Sequence, residues 1–213
     1  MAVAKAKPGR SQFGITLGTE PLNALFANLK DLRSAPPLTK RKDGKYEGDI
    51  LGFVKGLRLS AGVIYFLKQR LSELDVEVSW GHLVEEDERS CSPECDVIVH
   101  LKGSIQKWNG AEHPVMDFKF VKVSRARVVI SCKSQLTSIE PDYPKTLKKF
   151  GVKKIFLFAE CCNAGSFKGL RDRAKKAGYA DLCCLYFTKP TGFVEVNKQL
   201  WAQFGDAVTN AAK

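Results

Sequence analysis

The chain has 213 residues, 44% of them hydrophobic, enough to bury a core in one large domain or two small ones. A formal net charge of +11 and a pI near 9.3 favour a polyanionic partner, nucleic acid first, because lysines and arginines that neutralise phosphates release counterions whatever the base sequence. No apolar run approaches the length of a membrane span and MAVAKAKPGR carries no apolar leader core, so a helical membrane protein is excluded; the expectation is a cytoplasmic chain with no membrane partner and seven reduced cysteines.

Residues 1–45 read as a basic N-terminal arm with one short helix, and residues 46–213 as the folded domain. The arm holds nine Lys and Arg against three acids. Its helix is predicted from Pro21 to Arg33, where Leu22, Leu25, Phe26, Leu29 and Leu32 recur at helical spacing. The linker SAPPLTKRKDGK follows, its paired prolines barring helix continuation and its Lys40, Arg41 and Lys42 offering an electrostatic guide onto a phosphate backbone.

A long helix is predicted from Tyr46 to about Leu74, with Ile50, Leu51, Val54, Leu57, Ile64, Leu67 and Leu71 on one face. Glu47 falls on or near that face, a place for a carboxylate that meets a cation or for a first-turn glutamate favoured by the helix dipole. Strands are predicted at Val76–Leu83, Cys95–Leu101, Val115–Val121 and Arg127–Cys132. The period then changes: a helix at Tyr143–Phe150, the strand KKIFLFAE, a helix from Phe167 to Lys176 closed by Gly178, the strand DLCCLYF, and a last helix from Val194 to Val208. Strands alternating with helices predict an α/β sandwich with both sheet faces covered.

Two charged residues interrupt otherwise apolar strands, Asp96 in SPECDVIVH and Lys133 in VVISCKSQL. If those strands are neighbours, a carboxylate and an ammonium converge at one rigid point. A carboxylate is a hard ligand for Mg²⁺ or Mn²⁺, the metal stabilises charge on a scissile phosphate, and the ammonium polarises the attacking water.

The pieces YEGDILGFV, GHLVEEDERSCSPECDVIV and VVISCKSQL together resemble the PD-(D/E)xK nuclease superfamily, and within it a bacterial nuclease-like domain family of unknown function. The resemblance covers Tyr46 to Glu160. It implies a restriction-endonuclease-like three-layer sandwich with a central mixed sheet, an αβββαβ core, and metal-dependent hydrolysis of nucleic acid, DNA ahead of RNA, in restriction or defence. By the same resemblance Asp96 is the metal-binding aspartate, Lys133 the catalytic lysine and Glu47 the supporting helix glutamate. Ser131 stands where the family has an acid, and a hydroxyl is a poor Mg²⁺ ligand. The second oxygen would come from Glu47, from Glu94 or from the Cys132 carbonyl; otherwise the fold is retained as an inactive module that binds nucleic acid or a protein. Ser134 and Gln135 follow the lysine as candidate phosphate contacts beside Ser131. Enzymes that cut both strands often pair two active sites, which makes a homodimer part of the expectation.

Other patterns are weaker. Cys91, Cys95, His82 and His100 lack the spacing of a zinc site, and Cys132, Cys183 and Cys184 read as small core residues. Cys162 has no motif that makes it a nucleophile. GSFKGLRDRAKK lacks the lysine spacing of a P-loop, and the lysines around 145–154 read as a solvated face that, aligned with the arm, would give one broad basic surface.

Overall fold

A computed structural model of the chain describes residues 48–87, 89–103, 105–106, 118–189 and 192–213. The basic arm and the helix expected at Pro21–Arg33 lie outside the described residues. Helix α1 (Gly48–Arg70) leads into β1 (Val76–Val84), β2 (Cys95–Leu101), the two-residue β3 (Ile105–Gln106), β4 (Phe118–Lys122) and β5 (Ala126–Leu136). After β5 come α2 (Asp142–Lys149), β6 (Ile155–Asn163), α3 (Phe167–Ala177), β7 (Leu182–Lys189), β8 (Gly192–Val196) and α4 (Lys198–Ala212). All eight strands join one mixed sheet in the order β3-β4-β1-β2-β5-β6-β7-β8.

The sheet is antiparallel from β1 to β5 through β2, and parallel from β5 to β7. Parallel neighbours need a crossover, and α2 and α3 supply the two, both on the same face. Their Leu147, Leu170 and Ala174 pack there against Ile98, Val129, Leu157 and Ala159. On the opposite face, Leu59, Val63 and Leu67 of α1, with Leu71 just after it, join Trp201, Phe204 and Val208 of α4 over Val97, Val99, Val128, Ile130 and Phe158. Strands covered on both sides must be apolar on both, which is why β5 and β6 read as near-continuous Val, Ile, Phe and Leu. The result is the three-layer α/β/α sandwich expected.

Several boundaries differ from those predicted. Among the helix residues whose burial is described, Leu59, Val63 and Leu67 are fully buried and Leu71 extends the stripe just after the helix, whereas Leu57 and Ile64 are only partly buried; the side chains of Ile50, Leu51 and Val54 lie outside the described residues. Strand β5 does not stop at Cys132. Its parallel ladder with β6 continues through Lys133 opposite Ala159 and on to Leu136 opposite Cys162, so the lysine stands within a paired strand. Residues 192–196, expected in part as the start of the last helix, form the edge strand β8, since Phe193, Val194 and Val196 suit a pleated surface. Helix α4 begins only after Asn197, whose side chain caps it by accepting the Leu200 amide at 3.0 Å.

Gly81 sets the join between the antiparallel and parallel halves of β1. Its φ of 148° is one that side chains rarely adopt, the β1–β2 register shifts between Ser79 and Gly81, and an added Cβ would fall 1.9 Å from the Lys119 carbonyl oxygen of β4. Gly81→Ala is expected to cost about 1–3 kcal/mol from backbone strain alone. Gly56→Ala, in α1 with nothing within 4 Å, should instead stabilise by about 0.5–1 kcal/mol. Denaturant titration of both variants beside the native chain checks the pair, and an unperturbed Gly81→Ala would show that the bulge is dispensable.

Candidate functional site

Pairing of β2 with β5 sets Val97 opposite Ile130 and Ile98 opposite Val129. One step further along the same register brings Asp96 beside Ser131. The Asp96 carboxylate leans across the ladder: its Oδ2 accepts the Cys132 backbone amide at 2.8 Å and lies 3.5 Å from the Ser131 hydroxyl that donates to it. Ser131 is thus buried as a hydrogen-bond partner of the aspartate, in the place where an acid would have repelled it.

Lys133, two residues on, shares the face of Ser131. Its ammonium attracts the Asp96 carboxylate and also pairs with Glu140 Oε2 at 3.3 Å, Glu140 lying between β5 and α2. Tyr143, in the first turn of α2, donates its hydroxyl to the Glu94 carbonyl at 3.2 Å, and buried Tyr179 senses both Glu140 and Asp96. Lys133, Gln135, Thr137, Ser138, Glu140 and Tyr179 line a small cleft of about 110 Å³ beside the aspartate.

Burial dominates the electrostatics here. It raises the Asp96 carboxyl above its ordinary value, opposed first by the Cys132 amide and then by Lys133. It raises the phenols of Tyr143 and Tyr179 too, and holds the Cys95 thiol at about 11. The phenols are therefore neutral hydrogen-bond donors at neutral pH, and Cys95 is a protonated core thiol.

The other expected residues are distributed differently. Glu94 precedes β2, so it does not share the strand face of Asp96; its carboxylate accepts the Trp80 indole at 2.6 Å, and its charge adds to the raising of Asp96. Gln135 is exposed on the face of Lys133, whereas alternation turns Ser134 to the other face, where its carbonyl accepts the Cys161 thiol at 3.4 Å. Cys132 presents its amide to Asp96, and its side chain is buried against the α1 layer. Glu47, Lys40, Arg41 and Lys42 lie outside the described residues. The histidines considered for zinc are held by ordinary partners, His82 by the Ser92 carbonyl at 2.8 Å and His100 by Ser79 Oγ at 3.1 Å.

Glu140, Tyr143 and Tyr179 escaped the sequence reading. Glu140 and Tyr143 come from the turn after β5 and the opening of α2, where neither strand nor helix periodicity marks a position as facing Asp96. Tyr179 carried a signal, since an aromatic directly after a C-capping glycine folds back onto the helix end, and Gly178 has φ 111°.

The donor chemistry bears on a metal. Among the described residues no three His, Cys, Asp or Glu side chains gather into a cation site. Asp96 is an oriented oxygen ligand, but Glu140 is committed to Lys133 and Glu94 to Trp80. These residues supply one part of an Mg²⁺ site and do not complete it.

The fold is a restriction-endonuclease-like α/β sandwich. Two solved structures share it: NucC of P. aeruginosa ATCC27853 in a cAAA-bound form, at TM-score 0.60 and 11% identity over 89% of this chain and 87% of that one, and NucC of E. coli MS115-1 in a cAAA-bound form, at TM-score 0.56 and 13% identity over 99% of this chain and 92% of that one. No protein-family model matches the sequence, nor does any curated protein. Among the described residues no helix is long and apolar enough to cross a membrane.

A carboxyl that holds its proton more tightly in the fold than in the unfolded chain makes the native state lose stability as pH rises through the window above its usual 3.8. Asp96→Asn keeps an oxygen for the Cys132 amide and removes the buried charge. The variant is expected to melt at or above the native chain at pH 7, with the gap closing as pH falls towards 3.8. Melting curves across that range decide it; a clearly lower melting point at pH 7 would show attraction to Lys133 outweighing burial.

Proposed function

We propose that this chain is a metal-dependent nuclease that hydrolyses phosphodiester bonds of nucleic acid, DNA ahead of RNA, in restriction or defence against foreign DNA. One observation carries the reading: Asp96 and Lys133 converge from adjacent strands of a restriction-endonuclease-like sheet, each fixed by backbone pairing and the aspartate oriented by the Cys132 amide. The fold shared with NucC supports it.

Asp96 would be the principal ligand of Mg²⁺ or Mn²⁺, with the Cys132 carbonyl and Glu47 as the remaining donors. The metal, when bound, would neutralise charge on the scissile phosphate. Lys133 acts on the nucleophile's side: its ammonium is rigidly based, partly exposed, and able to exchange Glu140 for a water or a phosphate oxygen. Glu140 holds that ammonium in place until substrate arrives. Gln135 lies at the mouth of the same cleft as a phosphate or sugar donor. Two such sites, one from each chain of a homodimer, would cut both strands.

Ser131 favours a second reading. With one carboxylate where the superfamily pattern has two, the domain would bind nucleic acid or a protein partner without cutting. Incubation of plasmid, linear single-stranded DNA and RNA with the purified chain in Mg²⁺ and in Mn²⁺ separates the two. The nuclease reading expects cleavage that Asp96→Asn and Lys133→Ala each reduce by about a hundredfold or more. Retained DNA binding with no cleavage by the native chain would establish the non-cutting module instead.

A further inference from the structure

The helices α2 and α3 end close together at the far end of their layer from Asp96. Helix α2 finishes in Lys148 and Lys149, and α3 in Lys175 and Lys176. The Lys148 side chain lies over the turn after α3, since a Cβ added at Gly178 would meet its Nζ at 2.7 Å. The chain enters β6 through Lys153 and Lys154, and the Ala180 amide donates to the Ile155 carbonyl at 2.6 Å, which sets this lysine pair beside the end of α3.

Most acids of the layer are already engaged. Asp142 pairs with Lys145, Glu140 with Lys133, and Asp181 with Arg171 and Lys175. Exposed Asp172 stands further back on α3. Lys149, Lys153, Lys154 and Lys176 are exposed, and among the described residues none of them pairs with a carboxylate. The helix dipole accounts for lysines in the last turns of α2 and α3. It does not account for Lys153 and Lys154, which belong to neither helix and add like charge to the same end.

We propose that this end of the α2–α3 layer, from Lys148 and Lys149 through Lys153 and Lys154 to Lys176, is a docking surface for the phosphate backbone of duplex DNA, separate from the Asp96 site. Charge complementarity selects a polyanion. A membrane-surface helix would pair its lysines with an exposed apolar face, whereas Leu147, Leu170 and Ala174 are buried in the core. Scale fits a duplex: Lys133 lies opposite Ala159, five residues along β6 from Lys154, or about 16 Å at the strand rise. That spans about five base pairs of axis. The surface deepens the nuclease reading, giving the enzyme a hold on the backbone away from the cut, but duplex binding here does not require cleavage.

The test is fluorescence anisotropy of a labelled 20-base-pair duplex with the full chain at several salt concentrations, without divalent metal. Lys149→Glu/Lys153→Glu/Lys154→Glu is expected to weaken binding at least tenfold and to flatten the log–log salt dependence by about two to three, one step for each lost phosphate contact. The milder Lys153→Gln/Lys154→Gln should weaken it severalfold with a melting temperature no lower than the native chain's, which separates lost contacts from lost folding. Native affinity in both variants would overturn the proposal, as would a loss confined to substitutions at Lys40, Arg41 and Lys42, or a native chain that binds anionic vesicles and not duplex. Cleavage that fails while lysine-dependent binding persists would overturn the nuclease reading and leave this surface standing.

Discussion

Strand β5 has to satisfy two demands that conflict. Through Val128, Val129 and Ile130 it is buried on both faces, between α1 and α4 on one side and α2 and α3 on the other, and any polar side chain there would be desolvated without relief. Beyond Ile130 the same strand must carry a serine and a lysine. The ladder solves this by extension: parallel pairing with β6 continues to Leu136, so the polar residues inherit the rigidity of the core without standing in its middle. Asp96 is held by the same device from the other side, its carboxylate accepting the amide of Cys132. Site geometry is therefore a by-product of strand pairing, and whatever disturbs the β2–β5 register moves the aspartate and the lysine together.

Charge at this point is arranged as a chain rather than a pair. Lys133 stands between two carboxylates, Asp96 at its strand-side and Glu140 towards solvent, with neutral tyrosines packed around them. Burial raises the Asp96 carboxyl, and the Cys132 amide first and the Lys133 ammonium second oppose it. Glu140 is exposed and its ion pair with Lys133 is screened, so that hold is weak and easy to exchange. An arrangement of this kind trades stability for a charged group that is ready to meet a ligand. It also gives Ser131 a physical role: a second carboxylate beside Asp96 would have raised both, whereas a hydroxyl donates to the one that remains.

How much of this the sequence carried depends on the kind of constraint. Strand β2 was legible to the residue because Cys95–Leu101 is bounded by a turn-forming Ser-Pro and by Gly103, and α3 because Gly178 closes it. The three-layer sandwich followed from strands alternating with helices. Strand β8 was missed because its five residues can serve an amphipathic helix start as well as an edge strand, and only pairing with β7 decides. In the site, Asp96 and Lys133 stood out because a charge in an apolar strand is conspicuous. Glu140, Tyr143 and Tyr179 did not, because residues brought in by a turn and by a helix end owe their positions to tertiary packing, which no local period records. Ser131 could be seen to replace an acid, but not that it would donate to the aspartate.

The distribution of charge along the parallel strands gives the fold a polarity that composition could not. At the end where Lys133 stands, cations and carboxylates alternate and are largely paired off. At the opposite end, where β6 and β7 begin, lysines gather with little to oppose them. Like charges within a Debye length, about 8 Å at physiological salt, repel one another, so such a gathering lowers the stability of the free chain. The same repulsion is what counterion release and a bound phosphate backbone would relieve. Lysines spread evenly would serve solubility alone; lysines concentrated at one end of a sheet, with Asp96 and Lys133 towards the other, give the domain an electrostatic direction that a long polyanion would follow.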